Sequence, residues 1–442
     1  MNAGIAAWSG LVAATMTCSL VFGQEGSELA QWGPQPGEVQ GSLSEHALSW
    51  TTPRLNLVLD PWITFRRISG TESGMASPAQ EWTEPWDNLR GARFEAQLDG
   101  VWELAGSLEE WQGLPSPWDA MWMSESSFLP GWGRAKTTPG GRMDVARARG
   151  RSTYHHELAP GDTLSCMAAY APASWGHLPS ALTFSNESAS FPQAGMSWSR
   201  GESFVAEAKA ARWTGTERSP LGGSTESLFR QSDAGWVQAL WRWNRQNDLG
   251  LLVGSSRERP WLGEVEADSA GRFDWKPWSS IQGRWVWEGS GLEVAGEWAS
   301  HQGWGLAWSA GTDGRSRLTV SATRLKAQPE GSSVLLNAGT PVSAALRPAG
   351  LQEATWRAEV HGRMRRQRLS IIGCAAAVAE ARAAEVCVGY EIQSVWPLHA
   401  SLGVEGWRIP SHPILPEEGI RFRIGLAHRI GVKASSTTFG TP

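Results

Sequence analysis

The sequence is poor in reactive groups. It holds four cysteines. Cys18 lies in the N-terminal apolar stretch, which leaves Cys166, Cys374 and Cys387, too few for a disulfide framework. No segment beyond the N-terminus approaches the ~20 uninterrupted apolar residues of a helical membrane span. Neither sign of charge dominates: Lys+Arg 39 against Asp+Glu 44 gives a net charge of −5, so no nucleic-acid partner is expected. Gly-x-Ser-x-Gly, His-Glu-x-x-His, a phosphate-binding loop and Cys-x-x-Cys are all absent. The expectation is a non-enzymatic chain with no catalytic residue, no metal and no cofactor. His155-His156-Glu157 is the densest ligand-like cluster, but adjacent strand residues face opposite ways and cannot share one ion easily. Glu293 and Glu297 share a face yet lie too far apart along one strand to act as a carboxylate pair. A pair assembled across strands stays open.

Helical periodicity is scarce as well, and strand alternation takes its place. Twenty-eight tryptophans stand against three tyrosines. Many of them sit in segments where apolar and charged residues alternate. From Ala354 to Arg365 one side reads Ala354, Trp356, Ala358, Val360, Gly362, Met364; the other reads Thr355, Arg357, Glu359, His361, Arg363, Arg365. The same period of two recurs at Phe94-Ala96-Leu98, Val237-Ala239-Trp241-Trp243, Leu292-Val294-Gly296-Trp298 and Ile420-Phe422-Ile424-Leu426. A greasy face backed by a charged one fits a soluble sandwich, or a transmembrane barrel with lipid outside and a wet lumen. Trp213, Trp261, Trp278, Trp304 and Trp407 fall near strand ends, where interface girdles are expected, and favour the barrel. The fold class expected is all-β: a transmembrane antiparallel β-barrel of roughly 16 to 18 strands, at ~22 to 26 residues per strand and connection.

Residues 1–23 resemble a cleaved secretory signal peptide, with an N-terminal anchor as the other reading. Residues 24–44 are polar and lack alternation, as a periplasmic or lumenal segment would be. The barrel is expected over 45–432, with a polar tail over 433–442. Short polar turns such as Thr312-Asp313-Gly314-Arg315 alternate with long insertions over 112–138, 214–234 and 326–350, the layout of an outer-membrane barrel of a Gram-negative bacterium. Outer-membrane lipid is then the first partner; the oligomeric state is left open.

Three groups are candidate sites. Trp111, Trp118, Trp122 and Trp132 lie among Glu110, Asp119 and Glu125, a composition suited to sugar faces, since flat rings cover the CH-rich side of a pyranose; packing over the barrel mouth is the other reading. Arg363, Arg365, Arg366 and Arg368 form the strongest basic run, either a patch for acidic sugar or phosphate or a lumen face entering a solvated turn. Cys374 and Cys387 flank a tight turn near Glu380-Ala381. A symmetric turn there would oppose them directly, as a disulfide or as two packed thiols.

Two further stretches carry a family resemblance. Asn88-Leu89-Arg90-Gly91-Ala92-Arg93-Phe94 and Asp144-Val145-Ala146-Arg147-Ala148-Arg149-Gly150-Arg151-Ser152-Thr153-Tyr154 resemble an earlier and a later strand segment of the Wzi-type capsule-assembly barrels, in particular their divergent Bacteroidetes relatives. Trp175-Gly176-His177 is followed by Ser185-Asn186-Glu187-Ser188-Ala189-Ser190-Phe191-Pro192, where Asn186 replaces the family Asp and Phe191 its Tyr. The resemblance implies a non-enzymatic outer-membrane barrel that engages capsular or exopolysaccharide or supports surface assembly, and it adds Trp175 and Asn186 to the carbohydrate candidates. A porin-like channel with a charged lumen is the alternative.

Overall fold

A computed structural model describes residues 48–73, 86–113, 128–129, 132–137, 143–173, 175, 184, 190–218, 229–244, 247–260, 274–287, 292–300, 303–312, 316–325, 353–364, 367–378, 381–393, 398–408 and 418–429, with side-chain surroundings essentially up to residue 310. The alternating segments form twenty-one strands, every ladder antiparallel, in one sheet. The first seven are β1 (Leu48–Thr51), β2 (Leu55–Ser73), β3 (Trp86–Leu98), β4 (Trp102–Gly113), β5 (Phe128–Leu129), β6 (Gly133–Thr137) and β7 (Met143–Ala159). Next come β8 (Asp162–Ala171), β9 (Phe191–Arg200), β10 (Phe204–Arg218), β11 (Phe229–Arg242), β12 (Asp248–Glu258), β13 (Lys276–Trp287) and β14 (Leu292–Ala299). The last are β15 (Gly303–Thr312), β16 (Ser316–Leu325), β17 (Glu353–Met364), β18 (Gln367–Val378), β19 (Ala381–Gln393), β20 (Leu398–Arg408) and β21 (Glu418–Arg429).

Consecutive strands pair as up-and-down neighbours, β4 pairing β7 past the short β5 and β6. The final strand β21 then pairs β2 from Trp62↔Arg429 to Ser73↔Glu418. With β1, β5 and β6 set aside, eighteen strands make a hydrogen-bonded circuit. Closure of this kind leaves no row of unpaired backbone groups along either edge. β1 doubles back on β2 (Leu48↔Leu59 to Thr51↔Asn56) and occupies the edge that β21 leaves open.

The two ends differ. At one, the connections between β3 and β4, β7 and β8, β9 and β10, and their later equivalents span five residues or fewer. At the other, most connections are long, including 114–127, 172–190 and 326–352, with the β14–β15 and β18–β19 turns as short exceptions. The β3–β4 hairpin shows why the short turns are tight. Asp99 (φ 52°) and Gly100 (φ 69°) are both left-handed, the two-residue pattern whose twist matches the flanking strands. Arg54 clamps this turn with a bidentate pair to Asp99, at 2.6 and 2.7 Å.

Polarity across the wall is reversed relative to a soluble sheet. On β12, Leu249, Leu251 and Val253 are 47%, 49% and 51% exposed on the outer face, while inward Asp248 is 1% exposed. Aromatic side chains ring the outer face near the short-turn end: Trp102 against Tyr154 at 4.9 Å, Trp198 against Phe204 at 5.5 Å, and Trp243 against Trp285 at 6.0 Å. Trp298 and Trp304, register partners, are exposed toward the other end. An outward apolar band bounded by aromatic residues is the pattern of a wall in lipid. Two tryptophans expected in the girdle are not there. Trp213 and Trp278 fall on the inward parity of β10 and β13 and are buried. Proximity to a strand end does not say which face a side chain takes; the register does. Trp407 is placed on β20 by register alone, and Trp261 lies outside the described residues.

Candidate functional site in the lumen

Two aromatic clusters and one polar recess occupy the described part of the inner wall. In the first cluster, Trp175 and Phe184, from the segment between β8 and β9, meet Trp213, Trp236 and Trp278 on β10, β11 and β13. Phe184 lies 4.8 Å from Trp236 and 5.6 Å from Trp278, ring centre to ring centre. Glycines on β12 make the space. A Cβ at Gly254 would stand 2.5 Å from the Trp278 ring, and one at Gly250 would stand 2.7 Å from Trp175. Trp175 donates its indole N–H to Ser280 at 3.2 Å, and the Ser280 hydroxyl donates to Glu297 at 3.1 Å, which ties the inward segment to β13 and β14.

The second cluster gathers Leu89, Trp111, Leu129, Met143 and Val145 beneath Trp132. Trp111 and Trp132 lie 5.8 Å apart, and the Arg147 guanidinium covers the Trp132 ring at 4.2 Å while pairing with Glu109. A cation above an indole face stabilises it by about 0.5–2 kcal/mol, the more so as water is excluded. Sequence composition singled out Trp111 and Trp132 as sugar-facing residues, and the family resemblance added Trp175. The structure places all three in packing contacts, with Trp111 6% and Trp175 5% exposed. Trp118, Trp122 and Asn186 lie outside the described residues.

Elsewhere the described inner wall is charged. Arg284 and Asp248, 2% and 1% exposed, approach to 3.3 Å on β13 and β12, and Arg93 reaches Asp60 at 3.4 Å. Removing one partner of a buried pair costs about 3–5 kcal/mol because the other charge is left without compensation. A recess of about 230 Å³ opens along β4, β7, β8, β9, β10 and β11. Its floor carries Lys209 paired with Glu207 at 2.7 Å, and its side carries Glu103 at 3.7 Å from Arg151 and 3.4 Å from His155. His155 meets Ser165 at 2.8 Å on the inner face, while His156 is exposed on the outer one, so the two do not converge.

The remaining sequence candidates are placed by register alone. Arg363 and Arg368 are direct partners across the β17–β18 hairpin, so two of the four arginines share one turn; Arg365 and Arg366 lie outside the described residues. Cys374 pairs Glu385 and Cys387 pairs Ile372. The expectation of directly opposed cysteines is corrected: the turn follows Val378↔Ala381, one residue earlier than a turn centred on Glu380-Ala381, and this sets the two cysteines two positions out of register. Composition also passed over Arg149, Arg151, Ser107, Thr153 and Lys209. The usable signal was the alternation Arg147-Ala148-Arg149-Gly150-Arg151, three cations on one face of one strand.

No protein-family profile and no curated protein matches the chain. Among solved structures, it is similar to the outer membrane channel DcaP of Acinetobacter baumannii, at 7% identity and a TM-score of 0.46, covering 86% of this chain and 98% of that one. It is also similar to Wzi of Escherichia coli, an outer-membrane protein involved in group 1 capsule assembly and described as a carbohydrate-binding β-barrel, at 10% identity, TM-score 0.47, covering 83% and 84%. A third is OccAB4 of Acinetobacter baumannii, at 8% identity, TM-score 0.46, covering 84% and 97%. At such values no residue role passes from them to this chain. Its architecture rests on its own strand pairing and reversed polarity.

Proposed function

We propose that this chain is a non-enzymatic outer-membrane β-barrel whose charged lumen is the working element, admitting or holding small polar solutes. One observation carries the reading: the wall is apolar and exposed outside yet lined with buried ion pairs and a polar recess inside. An outer membrane is the setting in which a closed antiparallel sheet of this polarity is stable. The short-turn end then faces the periplasm and the long-loop end the exterior. Aromatic packing on segments folded inward narrows the lumen and selects for small solutes.

A second reading, engagement of capsular or exopolysaccharide in the manner of the Wzi-type barrels, is favoured by Trp132, which stays half-buried over the second aromatic cluster of the inner wall. Fractionation with heat-modifiable gel migration tests the barrel, and swelling of liposomes that contain the purified protein tests the lumen. Swelling in small neutral sugars is expected. Outer-membrane localisation without any swelling, together with loss of surface polysaccharide on deletion, would replace the first reading with the second.

A further inference from the structure

We infer that an arginine row on the outer face of β10–β12 is a docking site for the phosphate of a glycolipid in the outer leaflet of the surrounding membrane. The inference rests on the outer-membrane setting and orientation proposed above, not on the role of the lumen. Register sets Arg212 on β10, Asp233 on β11 and Arg257 on β12 in one row. The parity of exposed Val237 and Val253 puts that row on the lipid-facing side. Asp233 takes Arg212 on one carboxylate oxygen at 3.1 Å and faces Arg257 with the other at 3.8 Å. Arg259, two positions further on, approaches the same carboxylate at 3.6 Å. Two guanidiniums of the row thus share one carboxylate. Arg257 stays beyond hydrogen-bond distance of it and covers the exposed Trp275 ring at 5.0 Å. Both arginines are about half exposed.

Height supplies the second, independent observation. Arg212 lies eight residues along β10 from Phe204, a member of the aromatic ring at the short-turn end. At ~3.4 Å per residue and a tilt of about 35–45°, that is a rise of roughly 20 Å. The apolar band of a barrel is ~25 Å tall, so the row stands where hydrocarbon gives way to head groups on the long-loop side. Guanidiniums suit that place, because they are weakly hydrated and bind phosphate through two parallel hydrogen bonds. Below the row, Ala210, Gly235 and Ser255 are small outward residues, so acyl chains can lie against the wall while their head group meets the arginines. A balanced pair holds the same height on β3 and β4. Arg90 and Glu110, each eight residues from the partners Leu98 and Trp102, meet at 2.7 Å, and Gln112 donates to Glu110 at 3.1 Å. That pair is neutral; the row on β10–β12 carries one cation more than it has carboxylates.

Native mass spectrometry of the detergent-solubilised barrel tests the assignment. The probes are lipid A (a bisphosphorylated glycolipid), its dephosphorylated form, phosphatidylglycerol and inorganic phosphate. Lipid A is expected to bind about tenfold or more tightly than the dephosphorylated form. Arg212→Gln with Arg257→Gln is expected to weaken lipid A binding about tenfold or more, since each arginine at a membrane surface adds to the hold on an anionic head group. Arg90→Gln, at the balanced pair, is expected to leave it unchanged. The dephosphorylated arm uses the unaltered chain and reads the site even if the double variant does not fold, as judged by its gel shift. Equal binding of the two forms overturns the inference, as does unchanged binding in the folded double variant. Tighter binding of phosphatidylglycerol would assign the row to a phospholipid leaflet, and displacement of lipid A by an equal concentration of inorganic phosphate would assign it to a free anion; either result overturns the inference. Failure of the membrane setting looks different: the protein is then missing from the outer-membrane fraction and shows no heat-modifiable migration.

Discussion

Tryptophan plays opposite parts on the two faces of this wall. Trp241, Trp285 and Trp298 are 57%, 45% and 46% exposed on the outer face, while Trp213, Trp236 and Trp278 are 0%, 3% and 7% exposed on the inner one. The residue type is the same, and the neighbouring strands are the same. Parity in the ladder separates them: on β11, Trp236 points in and Trp241, five residues on, points out. The outer set meets lipid chains and interface water, so its apolar surface need not be covered by protein. The inner set packs on itself and on Trp175, Phe184, Phe191 and Leu252, and behaves as a small hydrophobic core inside a polar lumen.

The largest contrast should come from truncating one member of each set. Trp213→Ala is expected to destabilise the folded barrel by about 3–5 kcal/mol, the range for a large aromatic removed from a packed core. Trp241→Ala should cost well under half of that. Urea unfolding in lipid vesicles, followed by gel migration, measures both; equal losses would mean that the inner cluster is not a core.

A charge placed on the outer face is next in size. Val253 is 51% exposed on β12, opposite Val237 on β11. Val253→Arg is expected to cost about 2–4 kcal/mol in a bilayer, the range for Arg at mid-depth of a barrel wall, while the same change should be nearly silent in a water-exposed sheet. Vesicle-based unfolding that shows no loss would remove the lipid from the account of this face.

The smallest effect belongs to the rim, where neither lipid nor core acts. The hydrogen bonds and charge of Arg54 hold the Asp99 carboxyl below its ordinary value. A carboxyl lowered on folding adds stability above its unfolded pKa, and this is lost as pH falls through the lowered folded value. The β3–β4 turn should therefore loosen in acid below the ordinary carboxylate range. Amide exchange at Val101 reads the change, and Asp99→Asn should abolish its pH dependence; if the turn of that variant still loosens over the same range, the Arg54–Asp99 pair is excluded as the clamp.

Much of the fold was legible because a strand's side chains repeat every two residues. The segments around Phe94, Val237 and Leu292 reported their faces correctly, including Leu240, an apolar residue at an inward position of β11 between Gln238 and Arg242. The expected range of strand number contains the observed circuit of eighteen. Site residues were harder to read. Trp111 carries the composition of a sugar platform and Trp175 a family resemblance, but neither says that Arg147 would cover Trp132 or that Ser280 would bind the Trp175 indole on the inner wall. Arg149 and Ser107 lie 42 positions apart in the chain and become neighbours only through the β4–β7 ladder, which skips β5 and β6.

By itself the sequence determined an antiparallel all-β wall with one apolar and one charged face, since period two is a property of the extended chain and needs no partner. Tertiary structure decided the register, and with it which tryptophans face lipid, that Cys374 and Cys387 are not opposed, and which cations surround the recess. The physical reason is that a turn shifted by one residue moves every cross-strand partner by two. Only the closed set of ladders selects one register.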